Sequence, residues 1–146
     1  GQAIQLAPRG VPVLTVTDAG QRVGINQPAP SQALDVNGSV VCQSLYLLSD
    51  QRTKTDIRPV LPDQLGERFA HLLPALELVE YEWASSSSAH NSGQSSRQLG
   101  LLAQQVRQVA PGLVHITDQP EQLHSIDHGQ LLMHLLGAVQ WLLART

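Results

Sequence analysis

Ser49 and Lys54 are the pair in this chain whose types and spacing could together do covalent chemistry. Serine is a poor nucleophile near neutral pH and needs a base to take its proton. A lysine can be that base when desolvation or neighbouring positive charge holds its amine neutral. Arg52 is near enough in sequence to contribute such charge. Arginine cannot replace the lysine, because it stays charged. Here the composition becomes informative: the nine basic residues are eight arginines and one lysine, Lys54. Compositional bias alone would also leave one lysine, so the count poses a question without answering it.

A serine at a cleavage junction has a compact route open to it. The Ser49 hydroxyl attacks the carbonyl of Leu48, and the peptide becomes an ester that water then hydrolyses. Lys54 takes the hydroxyl proton and returns one to the departing amine. Donors for the oxyanion are also required, and the sequence does not identify them. Serine and lysine five apart are common, and on spacing alone a polar connector with a surface lysine explains them at least as well.

Other candidates for chemistry are weaker. His124, His128 and His134 could be read as zinc ligands. Asp127, however, is the expected start of a helix and breaks their spacing, so ordinary surface or interface histidines account for them. Ser85 to Ser88 read as a flexible loop rather than a nucleophile cluster. Gly20, Gly24 and Gly38 lack the strand–helix context of a phosphate loop. No metal or other cofactor is expected.

The elements that must position Ser49 and Lys54 differ on the two sides of the junction. Residues 1–48 are strand-like and rich in turns. Val11 to Thr17, Arg22 to Ile25 and Ala33 to Val36 read as short strands, with a turn at Asp18-Ala19-Gly20. Asn37-Gly38 is a hairpin or tight-turn signal, after which Ser39 to Leu48 returns to strand. Such strands offer little apolar surface per chain, so they must lean on the second part or intertwine with other copies.

Residues 49–146 read as a folded α+β unit. Apolar residues at 61, 65, 69, 72 and 76 mark an amphipathic helix, with Pro62 suited to its first turn and Pro74 to its end. Leu78 to Trp83 alternates as a half-buried strand, with Val79, Tyr81 and Trp83 on one face. The serine-rich stretch from Ala84 to Arg97 reads as a loop. Leu99 to Ala103 is expected to start buried. Gln104 to Val109 is a short helix stopped by Pro111, and Leu123 to Ile126 a short strand.

Asp127 is expected to cap a last helix reaching about Arg145. That helix carries two apolar stripes, Leu131, Leu135, Ala138 and Leu142, and Leu132, Leu136, Val139 and Leu143. One stripe suffices for a helix on a monomer. Two imply one face on its own domain and one against partner copies, unless the helix is central within a single chain.

Bulk properties exclude several classes. The net charge of −3 gives no basic surface for nucleic acid. No run approaches the ~18 apolar residues of a membrane span, and Gly1 to Gly10 lacks the regions of a signal peptide. One cysteine, Cys42, excludes an internal disulfide and a cysteine metal cage. Aromatic residues make up only 3% of the chain, so any core is mainly Leu, Val, Ile and Ala.

Ser49-Asp50-Gln51-Arg52-Thr53-Lys54, followed by Ile57, resembles the SDxRxKxxI signature that opens the intramolecular chaperone domain of endosialidase-type tailspikes, the peptidase S74 family. That family also includes tail fibre proteins and the cleavage domain of myelin regulatory factor. Further similarities follow in order. Leu78 to Trp83 is similar to the family's strand ending in Tyr-x-Trp or Tyr-x-Tyr, and Leu99 to Val106 to its GLIAQEV segment. Ala110 to Val114 resembles its P-E-L-V turn, and Ser125 to Asp127 with the helix through Leu142 its closing segment. Two positions depart from the pattern: Gln105 stands where the family has glutamate, and His128 where it has tyrosine. Upstream, Val23 to Gly38 resembles the VGIG…P…LDVNG pattern of fibre shafts.

The resemblance implies a homotrimer with two parts: the end of an intertwined β-structured shaft over 1–48 and a chaperone auto-processing domain over 49–146. It implies a single-turnover serine autopeptidase with Ser49 as nucleophile, Lys54 as base and Leu48–Ser49 as the scissile bond. Asp50 and Arg52 take orienting or structural roles, and Gln104 lies near the site. The implied partners are other copies of the chain and its own upstream shaft, with no nucleic acid or membrane. The mature shaft would reside in a virion tail fibre, and the released domain in the host cytoplasm. Two alternatives stand beside this. One is a non-cleaving trimeric fibre tip that binds a host receptor. The other is a regulatory cleavage module in a larger membrane-anchored protein, against which the shaft pattern and the lack of downstream sequence argue.

Overall fold

The computed structural model describes residues 3–10, 12–17, 21–84, 97–117 and 122–146. The turn expected at 18–20 and the serine-rich loop over 85–96 lie outside the described residues. The chain is mixed α and β, with small sheets and a C-terminal helix. It divides into two compact units. One comprises Gly1–Gln43, Glu80–Gln98 and Thr117–Leu123, and the other Ser44–Val79, Leu99–Ile116 and His124–Thr146.

In the first unit, β1 (Ala3–Leu6), β2 (Leu14–Thr17), β3 (Arg22–Ile25) and β4 (Leu34–Val36) form one sheet in that order. The β1–β2 and β2–β3 pairs are antiparallel and β3–β4 is parallel. After β3 the chain turns sharply through Asn26, at φ 50°. A side chain at Gly24 would collide with the Gln27 carbonyl, so only glycine lets the chain fold back there. The return to β4 is tied by Asp35, whose carboxylate accepts from both the N–H and the hydroxyl of Ser31 at 2.8 Å. The sheet lacks an apolar interior. Among the described residues the buried apolar side chains, Pro30 apart, lie in the second unit, whereas Ile4, Leu6 and Leu34 are exposed.

The strand expected over Ser39 to Leu48 does not form. Residues 39–50 carry no helix or strand, and Val41, Leu45, Tyr46, Leu47 and Leu48 are all exposed. The Asn37-Gly38 signal marks a bend instead of a hairpin, with the Asn37 N–H bonded to the Ile25 carbonyl at 2.9 Å. A strand exists only when a neighbouring strand takes up its backbone groups, and among the described residues no strand pairs with this segment.

The second unit is built on two helices, α1 (Pro62–Ala75) and α3 (His128–Leu143). At the start of α1, Gln64 Oε1 accepts from the Leu61 N–H at 3.2 Å, and Pro74 falls in the last turn. Asp127 caps α3, with Oδ1 accepting from the Gln130 N–H at 2.9 Å. Between them lie α2 (Ala103–Val109), a 3-10 turn at Pro111–Leu113, and the antiparallel pair β7 (Val114–Ile116) and β8 (His124–Ile126). β5 (Val79–Tyr81) pairs with β6 (Gln98–Gly100) in a two-stranded sheet. Glu80 to Gln98 belong to the first unit, and there Trp83 lies beyond the strand and meets Tyr81 edge-on at 5.5 Å. Leu99 and Leu102, expected to be buried, are exposed, and the burial begins at Ala103. No helix among the described residues is long and apolar enough to cross a membrane.

The core of this unit consists of Phe69, Leu72, Ala103, Val106, Leu113 and Ala138. α1 and α3 approach closely because glycine faces an aromatic ring twice: Gly137 sits against Phe69, and Gly66 against Trp141. The face of α3 turned inward is Leu131, His134, Gly137, Ala138 and Trp141. Of the two apolar stripes read from the sequence, the first is therefore split, since Leu135 and Leu142 stay exposed. The second, Leu132, Leu136, Val139 and Leu143, is exposed throughout.

The two glycine contacts differ in how far they can give. A methyl group at Gly137 would lie 2.7 Å from the ring of Phe69, which is only 4% exposed and has nowhere to move. Overpacking of this kind costs about 1–3 kcal/mol, against a helix-propensity gain of about 1 kcal/mol. Trp141 is half-buried, with the Arg145 guanidinium over its ring, and can swing outward. Gly137→Ala is therefore expected to lower the urea midpoint, followed by far-ultraviolet circular dichroism, and Gly66→Ala to lower it less.

Candidate active site

The segment that carries Ser49 and Lys54 contains one 3-10 turn, Gln51–Thr53. Five residues of extended chain span about 17 Å, while a 3-10 helix rises only about 2 Å per residue. The turn is what lets the ends meet. Its backbone closes through Thr53 N–H to the Asp50 carbonyl and Lys54 N–H to the Gln51 carbonyl, both at 3.1 Å, and the Thr53 hydroxyl donates to the Asp50 carbonyl at 2.7 Å.

Asp50 caps the turn and Arg52 clamps it. The Asp50 carboxylate accepts from the Arg52 backbone N–H at 2.8 Å, from Nε at 3.0 Å and from Nη2 at 2.7 Å. The guanidinium thus forks onto the carboxylate of the residue two before it, a geometry lysine cannot offer. The Arg52 guanidinium is paired with Asp50, and its side chain is otherwise exposed. The side-chain hydrogen bonds from Arg52, and then its backbone N–H, hold the Asp50 carboxyl below the usual carboxylate range, while the same pairing raises Arg52.

Beyond the turn, Lys54 is extended, at φ −118° and ψ 149°, and its Nζ lies 2.6 Å from Ser49 Oγ. The structure therefore brings together two of the residues singled out in the sequence, Ser49 and Lys54, and links two more, Asp50 and Arg52, in the turn between them. Both Ser49 and Lys54 are exposed in the single chain. Leu48, on the other side of the junction, is 81% exposed. Asp56, at φ 52° and paired with Arg58 at 2.8 Å, turns the chain away after the site.

Gln104 lines a polar hollow of about 340 Å³ on α2 and β8 with Arg107, Gln108 and His124. Its neighbour Gln105 reaches Glu77 at 3.5 Å through Nε2. The three histidines weighed as metal ligands are engaged separately. His124 meets Arg107 at 3.3 Å, His128 the Ile126 carbonyl at 3.1 Å and His134 the Gln130 carbonyl at 2.8 Å. The Asp50–Arg52 clamp was not legible as a contact, although an Asp two residues before an Arg at a turn start was the available signal.

The clamp has a defined pH dependence. The folded Asp50 carboxyl is depressed, so its hydrogen bonds persist above the ordinary carboxylate range and are lost only as pH falls through the lowered value. In a carboxyl-carbon NMR titration, Asp50 is expected to titrate at lower pH than a reference aspartate. Arg52→Ala should return it to the ordinary range.

Comparison with known proteins finds a family similar to the segment that carries this site. Residues 49–115 match the family described as chaperone of endosialidase, peptidase S74. An uncharacterised membrane protein of Dictyostelium discoideum is 28% identical over 131 residues, covering 82% of this chain and 8% of that protein. The chain thus spans a small fraction of that relative's length. Over residues 49–115 the chain is thus similar to the chaperone domain that the peptidase S74 family describes.

Proposed function

We propose that the chain is the self-cleaving chaperone end of a trimeric fibre. Residues 49–146 assemble three copies and align the upstream β-structured segment, 1–48, then detach by cutting Leu48–Ser49. The observation that carries this reading is the 2.6 Å approach of Lys54 Nζ to Ser49 Oγ, within a segment of a family named as a peptidase.

In the proposed reaction Lys54, as a neutral amine, accepts the Ser49 hydroxyl proton. Oγ bonds to the Leu48 carbonyl carbon, and the bond from that carbon to the Ser49 nitrogen breaks. The nitrogen leaves as an amine, taking a proton from Lys54. Water then hydrolyses the ester, leaving a carboxylate on Leu48 and a free hydroxyl on Ser49. Each chain turns over once. Asp50 and Arg52 act as positioning residues, because they hold the turn that sets the Ser49–Lys54 distance.

A lysine works as a base only once water is kept from its amine. Both side chains are exposed in the single chain, so in this reading the exclusion comes from neighbouring copies. The surface for such assembly is on α3. Leu132, Leu136, Val139 and Leu143 are 45–67% exposed on one stripe, an apolar patch of a kind monomeric proteins rarely leave in water. The shaft would remain in a virion tail fibre, and the cut domain would be left in the host cytoplasm.

The membrane protein from Dictyostelium favours a second reading, in which the same cleavage module sits within a larger membrane-bound protein. The local reaction would be identical, and only the fate of the upstream piece would differ.

Wild-type chain is expected to run on denaturing gels as a shorter N-terminal and a longer C-terminal piece. Ser49→Ala, Lys54→Ala and Lys54→Arg should each remain full length, while light scattering still reports trimers. Two pieces from Ser49→Ala would refute the mechanism. A chain intact as wild type would leave the non-cleaving fibre tip. Val139→Glu combined with Leu136→Glu should leave monomers and slow cleavage at least tenfold.

A further inference from the structure

We propose that the leucine-lined groove of the second unit is the docking site for residues Leu45–Leu48 of a second copy of this chain. The inference rests on the assembly reading above and names what one copy would hold of the next. The groove has a volume of about 470 Å³ and lies between Leu73 of α1, Leu76 just after it, Leu101 before α2, and Leu131, Leu132 and Leu135 of α3. That is a size at which binding sites are found, with room for more than one leucine-sized side chain. Apart from His128 at one end, its lining carries no titratable group.

The occupant is marked by what the chain leaves bare. Leu45, Tyr46, Leu47 and Leu48 are 78%, 91%, 70% and 81% exposed, four consecutive large apolar side chains outside any helix or strand. Residues 40–48 are also uncharged, so segment and groove match in chemistry. In its own chain the segment comes near the start of α3 and does not line the groove. A methyl group at Gly129, in the first turn of α3, would lie 3.6 Å from Leu47 Cδ1, yet Leu47 remains 70% exposed. Groove and segment are therefore both unfilled in one chain and complementary between two.

The symmetry of such a contact is informative. Groove and segment are different surfaces of one chain, so their union is head-to-tail, and a head-to-tail contact closes into a ring when the rotation permits. Docked as an extended strand, Leu45 and Leu47 enter the groove on one face, with Tyr46 and Leu48 on the other. The backbone leading into the Leu48 carbonyl is then fixed, which a reacting bond requires for near-attack geometry. The groove becomes the subsite that selects apolar residues on the N-terminal side of the cut.

The test uses full-length Ser49→Ala chain, so that the segment stays attached. Leu47 is replaced by p-benzoylphenylalanine, and heavy- and light-isotope chains are assembled together, irradiated and mapped by mass spectrometry. Crosslinks from position 47 to Leu73–Leu78, Leu101 or Leu131–Leu135 are expected between heavy and light chains. The same photoprobe at Val41, equally apolar and 99% exposed, should not label those residues. Crosslinks confined to one chain, or equal labelling from position 41, would overturn the docking. Light scattering on the same samples separates the two readings: trimers without groove crosslinks remove only this inference, whereas monomers remove the assembly reading and the docking with it.

Discussion

The contact between Lys54 Nζ and Ser49 Oγ depends on very little of the molecule. A single 3-10 turn, capped by Asp50 and clamped by the Arg52 fork, brings the two ends of a six-residue segment together. No helix or sheet is required for that distance. What the local segment cannot provide is dryness. Both side chains are exposed, and exposed ion pairs and hydrogen bonds are worth little in water. Geometry and environment are thus supplied at different levels: the first by neighbours in sequence, the second, in the proposed function, by other copies.

The rest of the chain shows the same incompleteness. The four-stranded sheet of the first unit has no apolar interior among the described residues. The segment from 39 to 50 has strand-forming composition and no strand. α3 uses Ala138, Gly137 and Trp141 against α1 and leaves Leu132, Leu136, Val139 and Leu143 bare. Each is costly for a chain that stays alone. Burying those side chains contributes about 25 cal/mol per Å² removed from water, and in the proposed trimer each of three copies would gain it. The α1–α3 contact, with its two glycine–aromatic approaches, by contrast buries Phe69, Leu72 and Ala138 within one chain.

Much of the α+β part was legible in the sequence because its signals are local. The 61, 65, 69, 72, 76 spacing gave α1, with Phe69 and Leu72 buried as the period requires. Asp127 capped α3 as its side chain predicts. β3 was read at Arg22–Ile25, where it forms. The misreadings share one cause. Residues 39–48 have the composition of a strand, but pairing is a property of the partner, which the sequence cannot show. The split of the first α3 stripe has the same origin. Apolar period alone does not say that His134 and Trp141, with Gly66 and Gly137 opposite the rings, will make the closer fit. At the site, the Ser49–Lys54 spacing was visible but not the turn that makes it short. The Asp50–Arg52 fork is a side-chain geometry that composition does not encode.

The order of events in the proposed function follows from these differences in completeness. A unit whose core is formed by α1, α3 and the short elements between them relies on contacts that a single chain can make, and it can fold first. Registering three copies of a sheet without its own core is a slower, non-local search. A folded cap shortens that search by holding the strands near one another. If the dyad were dry in the single chain, cutting would compete with alignment and release the guide too early. Leaving Ser49 and Lys54 wet until copies close over them ties the reaction to the completed assembly. Once Leu48–Ser49 is cut, the cap no longer couples its own folding to the shaft. Reversal then requires undoing an intertwined structure without its template, and the persistence of the shaft becomes a matter of rate rather than of equilibrium.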